Sequence, residues 1–416
     1  MFPLRQSRRF FHTTLVQLAK KPSKKGKASK SSNTSSSSNI HALLGRSSSK
    51  LSVGIVGLAN VGKSTFFQSI TKSTLGNPNN YPFATVDPEE ALYKVPSEKL
   101  DTLASIYGSE KVFPSYLKIV DIAGLVRNAS KGEGLGNQFL NDIRNVDGIF
   151  QVVRGFDDEE VTHVELTVDP VRDLEIVSDE LLLKDLDTVE GALERNKKGM
   201  KSMKANDRKE IERENEILEK LSEIMMEKGR LLNHTGWTEE EVNVVNQHKF
   251  LTAKPTLYLL NVSKEDYLSG QNKYFDDVKA WLKEHSPNEK VVMFSADHEH
   301  DFVESTQRSS VIDDMVKEMK SLLNLISFYT CGPIEAREWN VKLGSSAPEG
   351  AGMIHTDLQK GFLNCSVWKY DNIVENKDMV VKGVVDKSVK FDKHGKGYEI
   401  EDGDIMLIHA VGGKAR

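Results

Sequence analysis

Cysteine is almost missing from this chain: 416 residues carry two, Cys331 and Cys365. Two thiols cannot build a disulfide framework for a chain this long, and neither stands in a Cys-x-x-Cys spacing, so no structural zinc is implied and a reducing compartment is compatible. Long apolar runs are missing as well. Hydrophobic residues make up 38%, but no stretch approaches the roughly 18 consecutive apolar residues of a membrane span, and no membrane insertion is expected. The third absence is local. No Asp or Glu precedes Asp87, whereas Arg5, Arg8, Arg9, Lys20, Lys21, Lys24, Lys25, Lys27, Lys30, Arg46 and Lys50 are all basic. With those eleven set aside, 45 of the 56 Lys and Arg face all 61 Asp and Glu, so a basic front precedes an acidic body.

Residues 1–49 read as a mitochondrial presequence and disordered linker. Arg and Ser occur without acids, and Leu4, Phe11, Leu15 and Leu18 can share one face of a short helix. The run Ser31 to Ser38 holds too little apolar surface to order itself. A basic tail touching RNA in the cytosol has similar charge; amphipathicity combined with the absence of acids favours the mitochondrial matrix. The length implies two or three domains, with the body starting near Lys50.

That body opens on its most specific motif. Gly57-Leu58-Ala59-Asn60-Val61-Gly62-Lys63-Ser64-Thr65 satisfies G-x-x-x-x-G-K-[ST], between an apolar run, Val53 to Val56, and a helix start, Phe66 to Ile70. The two glycines let successive N–H groups turn toward phosphate at the positive end of the helix. Asn60, Val61, Gly62, Lys63, Ser64 and Thr65 are therefore nucleotide-binding candidates, with Lys63 on the β- and γ-phosphates as a catalytic cation and Ser64 on Mg²⁺. An ordinary strand-to-helix turn would not need the Lys-Ser pair.

Further motifs follow in order. Asn80 to Pro88 stands where a switch threonine completes the Mg²⁺ shell, which makes Thr85 a metal-ligand candidate. The strand Leu117 to Val120 ends in Asp121-Ile122-Ala123-Gly124, with Asp121 placed to hold Mg²⁺ through water and the Gly124 N–H to meet the γ-phosphate. Leu125 occupies the position of the water-orienting glutamine of Ras-like proteins. A leucine cannot hold a water, so another group must. Gly132-Glu133-Gly134-Leu135-Gly136 supplies a flexible switch. Two more strands lead into Asn261-Val262-Ser263-Lys264 and Ser295-Ala296, the base-side candidates. Lys264 stands where guanine recognition needs a carboxylate. Strand, loop and helix in this order imply a doubly wound α/β sheet with the ligand at the carboxyl ends of its strands.

Together these residues resemble the Obg-like ATPases of the YchF subfamily of translation-factor-related P-loop proteins. The match runs from Gly57–Thr65 through Asn80–Pro88, Asp121–Asn137, Thr162-His163-Val164-Glu165, Val168-Asp169-Pro170 and Asn261-Val262-Ser263 to His355-Thr356-Asp357, so it covers about Lys50 to Val411. The resemblance implies ATP use with GTP accepted, because the base-loop Asp is usually Glu in such proteins; Lys264 followed by Glu265 departs even from that. It implies a catalytic histidine at His163, which could position the water that Leu125 cannot; the alternative is a surface histidine beside Glu159, Glu160 and Glu165. Asn60 resembles an asparagine that helps seat K⁺ between phosphates, or it stabilises the turn.

The fold class expected is thus α/β: a P-loop, GTPase-like domain over 50–170 and 256–324, an inserted helical hairpin over 171–255, and a C-terminal β-grasp TGS domain over 325–413. Leu182, Leu186, Val189 and Leu193 recur at helical spacing, Asn196 to Gly199 break the pattern, and Ile211, Leu218, Leu221 and Met225 resume it. Lys201, Lys204, Arg208, Lys209 and Arg213 can meet rRNA phosphates or form a solvated face among Glu210, Glu212 and Glu214. Alternating runs at Trp339–Leu343 and Cys365–Tyr370 read as strands, and His355 as a turn or packing residue. The function expected is Mg²⁺-dependent hydrolysis of ATP as a switch working with the mitochondrial ribosome or translation machinery. Rival readings are a nucleotide-gated binding module with incidental hydrolysis and a GTPase of ribosome assembly.

Overall fold

The structure is a computed structural model, which describes residues 44–45, 51–72, 90–122, 124, 135–158, 161, 163–200, 204–306 and 311–411. Residues 1–43 of the expected presequence and linker, Thr85, Leu125 and the glycines Gly132 and Gly134 lie outside the described residues.

The first domain runs β1 (Ser52–Val56), α1 (Lys63–Lys72), β2 (Glu90–Lys94), α2 (Glu98–Tyr107), β3 (Lys111–Phe113), β4 (Tyr116–Asp121), α3 (Leu135–Asn145) and β5 (Gly148–Arg154). The chain leaves it for α4 (Pro170–Gly199), α5 (Ala205–Lys228) and α6 (Glu239–His248). It returns as β6 (Thr256–Asn261), α7 (Lys264–Ser269), α8 (Phe275–His285), β7 (Val291–Phe294), α9 (Ala296–Thr306) and α10 (Ile312–Leu322). The strands form one sheet in the order β2-β4-β1-β5-β6-β7, parallel except for β2. β1, β5 and β6 are buried along their whole length, which is why they read as largely apolar runs: helices cover both faces of a parallel sheet. β2, at the edge, alternates between buried and half-buried residues.

The insert is the expected hairpin with a third helix added. Asp169 caps α4 by accepting from the Arg172 N–H, and Pro170 occupies its first turn. Val189 and Ala192 of α4 meet Leu218, Leu221 and Met225 of α5, with Val242 and Val245 of α6 closing the cluster. The break expected at Asn196 to Gly199 falls later: α4 continues through Gly199 because Asn196 donates to Asn215 of α5 at 2.9 Å, tying the last turn across the hairpin. Among the described residues no helix is long and apolar enough to cross a membrane.

A second sheet collects β8 (Leu325–Cys331), β9 (Glu335–Lys342), β10 (Phe362–Lys369), β13 (Asp392–His394) and β14 (Asp404–Ala410). Between them come α11 (Ala347–Ile354), α12 (Thr356–Lys360), α13 (Tyr370–Glu375) and the ribbon of β11 (Val380–Val381) and β12 (Val384–Val385). His355 caps α12 through Nδ1, which accepts from the Asp357 N–H at 3.1 Å. The order is β13-β10-β14-β8-β9-β3. Its sixth strand, β3, comes from the first domain and pairs in parallel with β9. Leu100, Leu103 and Tyr107 of α2 are likewise buried against Tyr329, Ala336 and Ile405. The boundary drawn at 50–170 therefore needs correction: α2 and β3 pack with the C-terminal module, since one face of its sheet edge would otherwise be left bare. The boundary at Lys50 also moves. Gly45 donates its N–H to Asn246 of α6 at 2.7 Å, Lys342 of β9 reaches the Leu44 carbonyl at 2.9 Å, and Leu44 packs on the insert.

The insert is locked to the sheet by buried charge. Arg230, after α5, pairs with Glu289 and also donates to Tyr258 Oη at 2.9 Å, the Lys254 carbonyl at 2.7 Å and Thr256 Oγ1 at 3.1 Å. Burial pushes the Glu289 carboxyl up, with Arg230 opposing. Removing one partner strands a buried charge, so Arg230→Ala is expected to cost about 3–5 kcal/mol in denaturant unfolding. Replacing both Arg230 and Glu289 by apolar residues should recover most of that loss; an Arg230→Ala effect under about 1 kcal/mol would contradict a buried, coupled pair.

Candidate functional site

The turn between β1 and α1 is set by backbone room. At Gly62, φ is +97°, and a Cβ there would stand 2.2 Å from Asn261 Nδ2; at Gly57 a Cβ would stand 2.3 Å from the Val152 carbonyl. No other residue fits. Asn60 also has positive φ, at +63°, which its short polar side chain tolerates. Beneath the turn, Phe66 is fully buried against Phe150 and Phe294, with ring centroids 6.2 and 5.0 Å away. That packing fixes where the helix N-terminus points, and Ser64 and Thr65 lie in its first turn, Ser64 exposed.

Lys63 is only 7% exposed, and its ammonium donates to the Leu58 carbonyl at 2.7 Å. Burial pulls its pKa down to about 8, with the charge of Asp121 pulling the other way. Asp121 ends β4 and pairs in register with Ile55 of β1. Gly124 follows close: a Cβ on it would lie 3.2 Å from both Lys63 Nζ and Ala59 Cα. Lys63, Asp121 and Gly124, distant in sequence, thus meet at one end of β1. A buried cation with a carbonyl as its hydrogen-bond acceptor suits an arriving phosphate anion.

On the base side, Asn261 is a strut. Its Nδ2 donates to the Val61 carbonyl at 2.9 Å, and its Oδ1 accepts from the Ala296 N–H at 2.9 Å, so one buried amide joins the phosphate loop to Ser295-Ala296. Val262 N–H donates to the Phe294 carbonyl at 2.8 Å, and Ser295 Oγ accepts from the His298 N–H at 3.3 Å. Lys264 begins α7 and pairs with Asp301 of α9 at 2.9 Å. The Asp301 hydrogen bond holds the ammonium above its usual pKa. Sequence reasoning singled out Lys264 but not its partner.

His163 is placed otherwise than on an exposed acidic segment. It is 4% exposed, its Nδ1 accepts from the Glu165 N–H at 3.0 Å, and its Nε2 lies 2.8 Å from Asp173 Oδ2, out of line for a hydrogen bond. The physical reason is Arg154. Its guanidinium, 1% exposed, donates to the carbonyls of Phe156, Asp158 and Val161 and so folds the β5–α4 loop over itself. Arg154 and Asp173 were not singled out from sequence, though an arginine ending an apolar strand is a usable signal: buried charge requires partners.

For Mg²⁺ the donors fit a site shared with nucleotide. Among the described residues no group of three His, Cys, Asp or Glu could hold a metal. The Ser64 hydroxyl and the Asp121 carboxylate are hard-oxygen donors of the kind Mg²⁺ takes alongside phosphate oxygens.

The fold and the phosphate-binding turn define a P-loop NTP hydrolase with a helical insert and a TGS-like C-terminal module. Residues 52–183 match the family described as "50S ribosome-binding GTPase", and residues 325–410 match YchF-GTPase_C, "Protein of unknown function (DUF933)". The Obg-like ATPase homolog of Saccharomyces cerevisiae is 46% identical over 90% of this chain and 98% of its own, and Obg-like ATPase 1 of Schizosaccharomyces pombe is 41% identical over 87% and 94%. The solved Schizosaccharomyces pombe YchF GTPase superposes with a TM-score of 0.75 at 40% identity, covering 88% of this chain and 99% of that one. The chain belongs to the YchF family of Obg-like ATPases.

Phosphate meeting Lys63 is expected to make nucleotide binding pH-dependent. Phosphate favours the protonated amine, so binding raises a pKa that stands at about 8 in the free protein; affinity is full below that pH and falls as pH rises through it. Calorimetry at pH 8.5 in buffers of different ionisation enthalpy is expected to show proton uptake on ATP binding, and Lys63→Ala to abolish productive binding. Heat independent of buffer would contradict the assignment.

Proposed function

We propose that the protein hydrolyses ATP in a Mg²⁺-dependent cycle and uses it as a switch with the mitochondrial ribosome or translation machinery. The observation that carries the chemistry is the convergence of Lys63, Asp121 and Gly124 at the phosphate turn. Bound Mg²⁺ would supply charge neutralisation on the phosphates. The N–H groups of Val61 to Thr65 cradle the phosphates, Lys63 gives up the Leu58 carbonyl to meet them, and the Gly124 N–H reads the γ-phosphate. Ser64, Asp121 and Thr85 are the metal ligands of this reading. Asn60 is an exposed residue of the turn, in keeping with a K⁺ seat.

Translation is supported by the ribosome-binding family match, and mitochondria by the acid-free basic front. Mitochondrial extract loaded with a non-hydrolysable ATP analogue is expected to co-purify the tagged protein with ribosomal particles. N-terminal sequencing of that pool should find the first residues removed and Leu44 retained, because Leu44 is part of the packed body. Full-length protein found only in cytosol would refute the location.

For base choice, guanine presents N1–H and the 2-amino group as donors, and Lys264 offers no acceptor. A charge-assisted hydrogen bond is worth about 1.5–3 kcal/mol, so GTP forgoes one to two decades of affinity. Titration should show ATP binding at least as tightly as GTP, with Lys264→Asp narrowing or reversing the order. Tenfold tighter GTP binding by the natural chain would overturn the ATP reading and favour a GTPase.

His163 is assigned the water-positioning role. His163→Ala should lower kcat roughly 10²-fold at retained nucleotide affinity; an unchanged kcat would end that assignment.

A further inference from the structure

We propose that a cavity at the foot of the first sheet is a second anion site, shaped for a phosphate-class oxyanion and separate from the nucleotide turn.

The cavity lies where three parts of the fold meet. Leu51, Val146 and Pro255 stand just before β1, β5 and β6, at the end of the sheet opposite the phosphate turn. Lys249 follows α6 of the insert, and Lys342 ends β9 of the C-terminal module. The volume is about 70 Å³, far below the roughly 300 Å³ at which sites for drug-sized molecules begin. A small tetrahedral anion fits, and a second nucleotide does not.

Charge selects the ligand. Among the described residues that line the cavity, Arg144, Lys249, Lys254 and Lys342 are cations and Asp147 is the single carboxylate. That carboxylate is engaged at the start of β1, where its Oδ2 accepts from the Ser52 N–H at 2.9 Å. Lys254 donates to the Arg144 carbonyl at 3.2 Å and to the Val146 carbonyl, and Lys342 donates to the Leu44 carbonyl at 2.9 Å. A carbonyl satisfies a donor without cancelling its charge, so the lining keeps an excess of positive charge.

Two of the cations point to an acceptor still to come. Arg144 gives one guanidinium nitrogen to Thr188 of α4 at 2.8 Å, but its Nε is buried with no hydrogen-bond partner. Leaving a buried donor unmade is costly, and an oxyanion supplies a charged acceptor for it. Lys249 caps α6 at φ +52°, in the left-handed region that helix ends ordinarily give to Gly or Asn. A lysine there brings an ammonium to the cavity at the expense of backbone ease. An oxyanion held by Arg144 and Lys249 would join the end of α3 to the exit of α6, with Lys342 on the same cavity.

The test is thermal unfolding of the full chain as inorganic phosphate replaces chloride at constant ionic strength, with Mg²⁺ and a saturating non-hydrolysable ATP analogue occupying the phosphate turn. The apparent midpoint should rise by about 2–4 °C and then saturate. Lys249→Gly suits the left-handed backbone, so without phosphate its midpoint should equal or exceed that of the natural chain. Its affinity for phosphate should nevertheless fall roughly tenfold or more, the loss of one charge-assisted contact. Lys249 and Lys63 lie at opposite ends of the sheet, so that loss reports the cavity and not the turn, whatever becomes of the nucleotide assignment. Arg144→Gln should weaken phosphate by a similar factor; if it does not fold, Lys249→Gly decides alone. Phenyl phosphate separates the sources: no saturable rise marks a site for the free anion, an equal rise one that takes the phosphoryl end of a larger molecule, and either supports the site. No rise, a rise that never saturates as solute exclusion by phosphate gives, or a saturable rise that Lys249→Gly keeps in full overturns it.

Discussion

The rest of the site depends on a buried ammonium whose hydrogen bond goes to a carbonyl. Lys63 sits at the mouth of a parallel sheet, desolvated far enough that its pKa falls to about 8, and donates to the Leu58 carbonyl. A carbonyl satisfies the donor but not the charge, and Asp121 answers that charge only in part. The site is therefore organised around a cation that gains most when polyphosphate arrives. Burying it requires walls, and the walls are the glycines whose missing Cβ atoms let Val152 and Asn261 approach, with Phe66 packed below.

From that point the architecture reads outward as a set of ties. Asn261 fastens the phosphate loop to the Ser295-Ala296 loop through both ends of one amide. Arg230 and Glu289 fasten the insert to β6 and β7. On the other flank, α2 and β3 cross into the C-terminal sheet, directly after the edge strand β2. These last two ties both leave the sheet at the end opposite the phosphate turn: Thr256 begins β6, and Lys94 at the end of the antiparallel β2 pairs with Tyr116 at the start of β4.

Much of this was legible because its residues carry their own geometry. G-x-x-x-x-G-K-S dictates a turn at particular positions, the apolar runs dictate buried parallel strands, and heptad-like spacing picked out the faces of α4 and α5. The parts that were not legible depend on distant partners. Nothing local in Lys111–Phe113 says that it pairs with β9, and nothing near Asn196 says that Asn215 will hold the helix closed. His163 is the clearest case: its sequence neighbours are acidic and polar, but Arg154 folds the loop so that the ring faces Asp173. Lys264 was noticed for what it cannot do to guanine, whereas its ion pair with Asp301 needed the fold.

The central claim is that the β1–α1 turn is a triphosphate site completed by Lys63 and Gly124. A crystal structure with a non-hydrolysable ATP analogue and Mg²⁺ tests it most directly. In it the Lys63 amine should have left the Leu58 carbonyl for the β- and γ-phosphate oxygens, with the Gly124 N–H on the γ-phosphate. Nucleotide bound elsewhere, or Lys63 still on Leu58 with phosphates present, would contradict it.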